Sequence, residues 1–259
     1  MKILDNQNYL PFGSCIYCGD TEDLRKEHIL PFGLRGSAIL PKSTCRECAK
    51  ITGQVEQKVL RGPMRDLRIY RKLKSRTKHR EAPERHSLKI IKNEAEEPVE
   101  LPINEFPILL HFPIFKPPAY LNQGSYEKGI IVSGVATISF GPRPEEVARA
   151  LGAKSISITQ DQEPVAFARM VAKIAYSCAA AEGKLDLLRG ASPVVPAILG
   201  KTDDIGRWVG TITDPIQKYN GLLHRILIHE DHYKHILIGE VHLFSNSETP
   251  KYGVILGEI

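Results

Sequence analysis

The pattern of apolar and polar positions changes near residue 88 and divides the chain into two parts of different character. Before it, a short apolar segment at 24–29 predicts a strand, and residues 39–40 are placed to pair back with it. Residues 46–60 then repeat apolar side chains at helical spacing. After residue 88, β-branched and aromatic runs broken by Pro and Gly predict strands. These strands are expected at 88–91, 108–115, 129–140 and 155–159.

One long helix is predicted over residues 163–182, with Pro164 suited to its first turn. Apolar side chains cover more than half of its circumference, so we expect it to be buried, with Cys178 packed in the core. A hairpin is expected from 222–229 and 235–244, followed by a last strand at 252–256. The pattern therefore predicts an α+β protein whose second part is larger and strand-rich.

Composition is that of an ordinary globular protein. The 259 residues are 42% hydrophobic and 25% charged. No apolar run approaches the roughly 20 residues of a membrane helix, and the first residues lack the apolar segment of a signal peptide. We therefore expect a cytoplasmic protein without a membrane partner.

Charge is distributed unevenly along the chain. Residues 1–92 hold 20 Lys and Arg against 10 Asp and Glu, a balance of +10, whereas residues 93–259 hold 15 against 20, a balance of −5. Such asymmetry points to an acidic partner for the first part, and nucleic acid is the leading candidate.

A basic stretch follows the first predicted helix. Residues 61–92 contain 12 Lys and Arg, and several of them recur at spacings of three and four, which places them on one helical face. Such a face is suited to phosphate contact, although a merely solvated helix face has the same pattern. The nucleic-acid-binding candidates are Arg61, Arg65, Arg68, Arg71, Lys72, Lys74 and Arg76.

Two Cys-x-x-Cys pairs, Cys15 with Cys18 and Cys45 with Cys48, contain four of the five cysteines. Each pair can present two thiolates to one tetrahedral ion, and zinc prefers such soft ligands. Gly19 directly follows the first pair and can relieve the backbone bend after it. In a reducing compartment this usage favours a structural zinc over disulfides.

Glu27 and His28 lie between the two cysteine pairs. A neutral imidazole can take a proton from water, and a carboxylate is the hard ligand that Mg²⁺ or Mn²⁺ prefers. The alternatives are a structural histidine near the zinc and a solvated acid beside Lys26.

Taken together, Cys15-x-x-Cys18, Glu27-His28-Ile-Leu-Pro and Cys45-x-x-Cys48 resemble the HNH endonucleases of the zinc-stapled ββα-metal class, over about residues 12–70. The resemblance implies an N-terminal HNH module in which the four cysteines hold a structural zinc. It also implies that His28 is the general base and that Glu27 binds a catalytic Mg²⁺ or Mn²⁺ ion.

One position departs from the family pattern. Many members place Asn or His directly after the last cysteine, where this chain has Ala49, which cannot bind a metal. On a continuing helix Glu56 lies seven residues later, near the same face. Glu56 is therefore the candidate for a displaced catalytic ligand, with an ordinary exposed glutamate as the alternative.

The domain division expected from these patterns is a nuclease module at 1–72, a basic linker at 73–87 and an α+β domain of unassigned role at 88–259. The expected function is metal-dependent endonucleolytic cleavage of nucleic acid, with DNA as the expected substrate. The alternatives are a non-catalytic zinc-stapled nucleic-acid-binding module and a triggered nuclease effector of a prokaryotic defence system. The C-terminal domain is the expected surface for a homodimer or a protein partner.

Other polar clusters are better explained without chemistry. His229, His232 and His235 crowd a predicted hairpin turn, where polar residues are common, and we assign no second metal there. Asp203 is expected in a surface turn, and Trp208 is expected to pack.

Overall fold

A computed structural model describes residues 9–73, 85–122, 128–212, 218–219 and 221–259. These residues form a mixed fold with 29% helix and 31% strand, which confirms the α+β class. The strands are β1 (Arg25–His28), β2 (Ile39–Thr44), β3 (His86–Lys92), β4 (Ala95–Leu101), β5 (Ile108–Phe115), β6 (Val132–Phe140), β7 (Ser155–Ser157), β8 (Val209–Ile212), β9 (His224–Asp231), β10 (Ile236–Leu243) and β11 (Lys251–Glu258). The helices are α1 (Arg46–Arg61), α2 (Arg65–Tyr70), α3 (Ala119–Asn122), α4 (Pro144–Ala150), α5 (Pro164–Ala181), α6 (Val195–Ile198) and α7 (Ile205–Trp208).

The strands form four antiparallel sheets. Strands β1 and β2 make the N-terminal hairpin, β5 pairs with β6, β3 lies between β4 and β7, and the largest sheet has the order β8-β11-β10-β9. The predicted strands and the predicted hairpin are confirmed, with bounds shifted by a few residues. Strand β4 was not predicted, because its exposed residues include three glutamates and Pro98, and nothing in its sequence alternates between apolar and polar.

Helix α5 forms the centre of the core, as its apolar circumference predicts. Fourteen of its residues are buried, including Cys178. The helix lies against β10, β11 and β9 on one side and against α1 on another. Gly239 permits this approach on β10, because a Cβ atom there would lie 2.5 Å from the Cβ atom of Ala175.

The core is continuous across the predicted domain boundary. We call residues 15–48, which contain the two predicted zinc-binding cysteine pairs, the zinc region. Its buried side chains, those of the following sheets and those of α5 belong to one cluster. Gln160 donates a hydrogen bond to the Pro63 carbonyl (2.6 Å), and His224 of β9 contacts the Leu34 carbonyl (3.0 Å). The division at residues 1–72 and 88–259 stays a prediction, and most of the linker between them lies outside the described residues.

No helix within the described ranges combines the length and the apolar character that crossing a membrane requires.

His224 joins the C-terminal sheet to the N-terminal region as a neutral ring. Its Nδ1 accepts the Phe244 amide (3.2 Å), so Nε2 carries the proton and donates to the Leu34 carbonyl. Burial lowers the pKa of His224 from 6.5 to about 4. Between these values the unfolded chain binds a proton that the folded chain does not, so stability is complete above pH 6.5 and falls as the pH falls towards 4.

We therefore expect His224→Gln to flatten the pH dependence of the free energy of unfolding in this interval, measured by urea denaturation. As the pH falls from 6.5 to about 4, the free energy of unfolding of the wild type should decrease by about 3 kcal/mol more than that of the variant. His242, whose pKa burial also lowers, is present in both proteins. Its charge helps to lower the pKa of His224, so the difference measures His224 together with its coupling to His242. Parallel curves for the two proteins would contradict the assignment.

Candidate functional site

The four paired cysteines converge at the base of the β1–β2 hairpin. Their sulfur atoms all lie within 4.8 Å of one another, and Cys18 Sγ is 3.6 Å from Cys45 Sγ. A tetrahedral zinc with Zn–S bonds of about 2.3 Å separates its sulfur ligands by about 3.8 Å. The cluster therefore suits a structural zinc, as the two Cys-x-x-Cys pairs predict.

Local backbone structure places these thiols. Gly19 has a φ of 79°, the left-handed conformation that glycine adopts without strain, and its amide donates to the Cys15 carbonyl (2.8 Å). Cys45 is the N-cap of α1, and Cys48 lies in the first turn of that helix. The helix N-terminus favours negative charge, so it supports the two thiolates that it carries.

Glu27 and His28 are the last residues of β1, where the hairpin register pairs them with Leu40 and Ile39. Both residues are buried, with relative exposures of 6% and 8% for the whole residue. The His28 ring packs edge-on against Phe32, with 5.8 Å between the ring centres. Glu27 is therefore not the solvated acid that its alternative described, whereas a buried His28 is compatible with the alternative of a structural histidine.

Lys173 of α5 brings the predicted catalytic residues together. Its Nζ lies 2.5 Å from Glu27 Oε1 and 2.9 Å from Glu56 Oε1, and it also donates a hydrogen bond to the His28 carbonyl. An ammonium has three N–H donors, and these three acceptors use all of them. We call Glu27, Glu56 and Lys173 the ion triad.

The ion triad is shielded from solvent. The side chain of Lys173 is 2% exposed, that of Glu27 is 7% exposed and that of Glu56 is 20% exposed. Burial alone would lower the pKa of Lys173, but the carboxylates of Glu27 and Glu56 outweigh it and raise the pKa, so the ammonium stays charged.

Tyr17 is a neighbour of the ion triad. Burial raises its pKa well above 10.0, and the charges of Glu27 and Glu56 raise it further. Its hydroxyl is buried and forms no hydrogen bond with other described residues. The ring lies 5.7 Å from that of Tyr176, centre to centre.

Helix α5 holds the zinc region through two main-chain carbonyls. Lys173 donates to His28, and Tyr176 donates to Ile16 (2.6 Å). The Ser177 hydroxyl donates to the Lys173 carbonyl of its own helix (2.8 Å). Lys173 and Tyr176 are three residues apart and so lie on one face of α5. This face holds both the first cysteine loop and the end of β1.

A catalytic Mg²⁺ or Mn²⁺ ion does not fit beside Lys173. The ammonium already neutralises one of the two carboxylates and occupies the point at which both converge. A divalent ion at that point would bring two further positive charges to within bonding distance of the ammonium. Among the described residues, the four cysteines are the only group of His, Cys, Asp or Glu arranged to hold a metal.

Four predicted nucleic-acid-binding residues are exposed around α2. Arg61 ends α1, Arg65 begins α2, and Arg71 and Lys72 follow its last residue. We call these four residues the basic surface. In the described part of the chain none of them pairs with an acid.

Arg68 differs from these four. Its half-buried guanidinium donates to the carbonyls of Gly33 (3.1 Å) and Leu60 (2.9 Å), and burial lowers its pKa. It connects the end of α1 to the loop after β1, so its guanidinium is engaged in the fold. Lys74 and Arg76 lie outside the described residues.

The remaining polar clusters are structural where they are described. Trp208 is buried and donates to Asp204 Oδ2 (3.1 Å), which confirms its packing role. Asp203 is exposed, as expected for a surface turn. His232 and His235 are exposed at the turn between β9 and β10.

Comparison of the chain with protein-family models, curated protein sequences and solved structures found no match in any of the three.

Sequence reasoning missed Lys173, although its signal was present. Only Arg169 and Lys173 are charged in α5, a helix whose other side chains are apolar or small on nearly every face. A charged group with no solvated face must find a partner of opposite charge. Glu27 and Glu56 lie more than a hundred residues before Lys173 in sequence. The apolar helix therefore indicates that Lys173 has an acidic partner but does not identify that partner.

We expect Cys45→Ser to lose the structural zinc, measured as metal per chain by elemental analysis after dialysis. Wild type should retain one zinc ion, since four thiolates converge on one point. Cys178→Ala is the matched control, because Cys178 is buried in α5 outside the cluster. Full zinc content in Cys45→Ser, or its loss in Cys178→Ala, would contradict the assigned ligands.

We expect Lys173→Met to lower the free energy of unfolding by about 3–5 kcal/mol, because it leaves two carboxylates buried without their counter-ion. Urea denaturation measures the loss. Adding Glu27→Gln and Glu56→Gln to the same chain removes the unpaired charges and should recover part of it. A single variant within about 1 kcal/mol of wild type would show that the ion triad has little effect on stability.

Proposed function

We propose that the protein binds nucleic acid through the basic surface of its zinc-stapled N-terminal region and does not cleave it. The observation that carries this proposal is the exposure of Arg61, Arg65, Arg71 and Lys72 without acidic partners in the described chain. Such residues contact phosphates independently of base sequence.

The surroundings of the basic surface support this use. Asp66, the acid within α2, contacts Nδ1 of His86 (3.2 Å), so its charge is directed to another partner. The Arg71 guanidinium lies 5.2 Å from the centre of the Phe140 ring, which leaves its N–H groups available to an anion. The zinc and Arg68 hold α1 and α2 in a fixed relation beneath these side chains.

The absence of cleavage in this proposal rests on access and on the ion triad. A general base must come within hydrogen-bond reach of the water that attacks the phosphodiester. His28 is 8% exposed, and Lys173 fills the position at which a divalent ion would stabilise the leaving oxygen. The zinc-stapled region then serves as a rigid support for the basic surface.

A second candidate function is metal-dependent endonucleolytic cleavage by an HNH-type module. It is favoured by one specific observation: Glu27 and Glu56, both chosen from sequence as metal ligands, pair with one cation, which also contacts the main-chain carbonyl of His28. In this function the residues at hand would be His28 as base and the two glutamates as ligands. Lys173 would have to leave the carboxylates before a metal could bind them.

We expect fluorescence anisotropy to show binding of labelled duplex or single-stranded DNA or RNA that weakens steeply with salt. Replacing Arg61, Arg65, Arg71 and Lys72 by Gln should reduce the slope of log affinity against log salt by about one for each side chain on duplex DNA. The matched control carries Gln at four exposed basic positions of the second part, with the same net charge. These positions are Arg149, Lys154, Lys201 and Lys234.

Equal affinity of the two quadruple variants would contradict binding through the basic surface. Incubation of supercoiled plasmid with Mg²⁺ or Mn²⁺ separates the two candidate functions. Intact plasmid with retained binding supports the binding function, whereas nicking that is lost in His28→Ala would establish the endonuclease.

A further inference from the structure

We propose that Lys173 is an internal replacement for a divalent cation, and that removing its side chain opens a metal site formed by Glu27, Glu56 and the His28 carbonyl. The inference concerns cation binding and holds whether or not the protein binds nucleic acid.

The geometry of the acceptors carries this inference. Two carboxylates from different elements, β1 and α1, and one main-chain carbonyl all point at a single atom. Carboxylate and carbonyl oxygens are the ligands that hard divalent cations take.

The ammonium is held where it is by the fold. Lys173 is flanked in α5 by Ala172 and Ile174, both fully buried, and Tyr176 attaches the same helical face to the zinc region through the Ile16 carbonyl. Withdrawing Lys173 while the helix stays in place would leave the ammonium in an apolar core. The site therefore contains its own cation permanently and has no room for a second.

Shortening the side chain of residue 173 should make room for a metal ion between the two carboxylates. Lys173→Ala removes the ammonium and its methylene chain, so the two carboxylates face a cavity with space for an ion and water. A divalent cation that enters relieves the repulsion between the carboxylates and stabilises the folded chain by mass action.

The test uses Mn²⁺ alone as the probe, on the zinc-loaded full chain, with bound ion counted from the loss of the free Mn²⁺ signal in electron paramagnetic resonance. Lys173→Ala should bind one Mn²⁺ about tenfold or more tightly than wild type, since two carboxylates become available. Its melting temperature should rise with Mn²⁺, whereas that of the wild type should not.

Two control variants define the site. Glu56→Gln in the Lys173→Ala background should abolish Mn²⁺ binding, because one of the two carboxylates is lost. Lys184→Ala, which removes a lysine paired with Glu230 near the surface, should bind no more Mn²⁺ than wild type. Mn²⁺ binding by Lys184→Ala equal to that of Lys173→Ala would overturn the inference.

If Lys173→Ala does not fold without metal, Mn²⁺ binding by the wild type and by Glu56→Gln tests the inference independently. Mn²⁺ binding by wild type that disappears in Glu56→Gln would show that a metal displaces Lys173, and would overturn the inference. No such binding, together with refolding of Lys173→Ala only when Mn²⁺ is present, would support it.

Discussion

The interaction on which the N-terminal region depends is the contact of one buried ammonium with three oxygen acceptors. Two carboxylates could not remain within bonding distance of the same point in a buried site without a cation. Lys173 provides that cation from the middle of α5. Because its ammonium contacts Glu27 of β1 and Glu56 of α1, it fixes the position of α5 relative to both elements. Full use of all three N–H donors offsets part of the cost of burying the charge.

The cysteine cluster and Lys173 constrain the same region in different ways. A zinc ion held by the four cysteines would close a loop within residues 15–48, a local constraint that needs no other part of the chain. Lys173 and Tyr176 contact residues that are distant in sequence, and these contacts attach that loop to the main core. The first constraint sets the internal shape of the N-terminal region, and the second sets its place in the protein.

Much of the fold and part of the site could be predicted from sequence. The cysteine spacing, the periodicity of α1 and α5 and the strand runs such as 108–115 are local signals, and each gave the right element. The convergence of Glu27 with Glu56 was expected from helical spacing together with the resemblance to the HNH endonucleases, which implies a metal ligand directly after the last cysteine. The identity of the cation between them could not be found in the same way, because Lys173 reaches the carboxylates only through tertiary packing.

The structure differs from the sequence-based expectation at Arg68 and at β4 for the same reason, because tertiary packing and strand pairing determine both. Arg68 shares the helical spacing of its basic neighbours, but α2 turns it towards the carbonyls of Gly33 and Leu60, and spacing alone cannot distinguish a contact with a carbonyl from one with a phosphate. Strand β4 is specified by its pairing with β3 and carries no apolar alternation of its own. Polar groups are therefore the hardest to place from sequence, since their partners are set by the whole fold.

The long sequence separation within the ion triad has a consequence for the order of events on the ribosome. All four zinc ligands and both glutamates are synthesised by residue 56, whereas Lys173 follows only after more than a hundred further residues. At about 5–20 residues per second the delay is roughly 6–23 s. During that interval the emerging chain must satisfy its two glutamates with water or with ions from the surrounding solution, and the arrival of α5 then replaces them with a cation that the chain itself encodes.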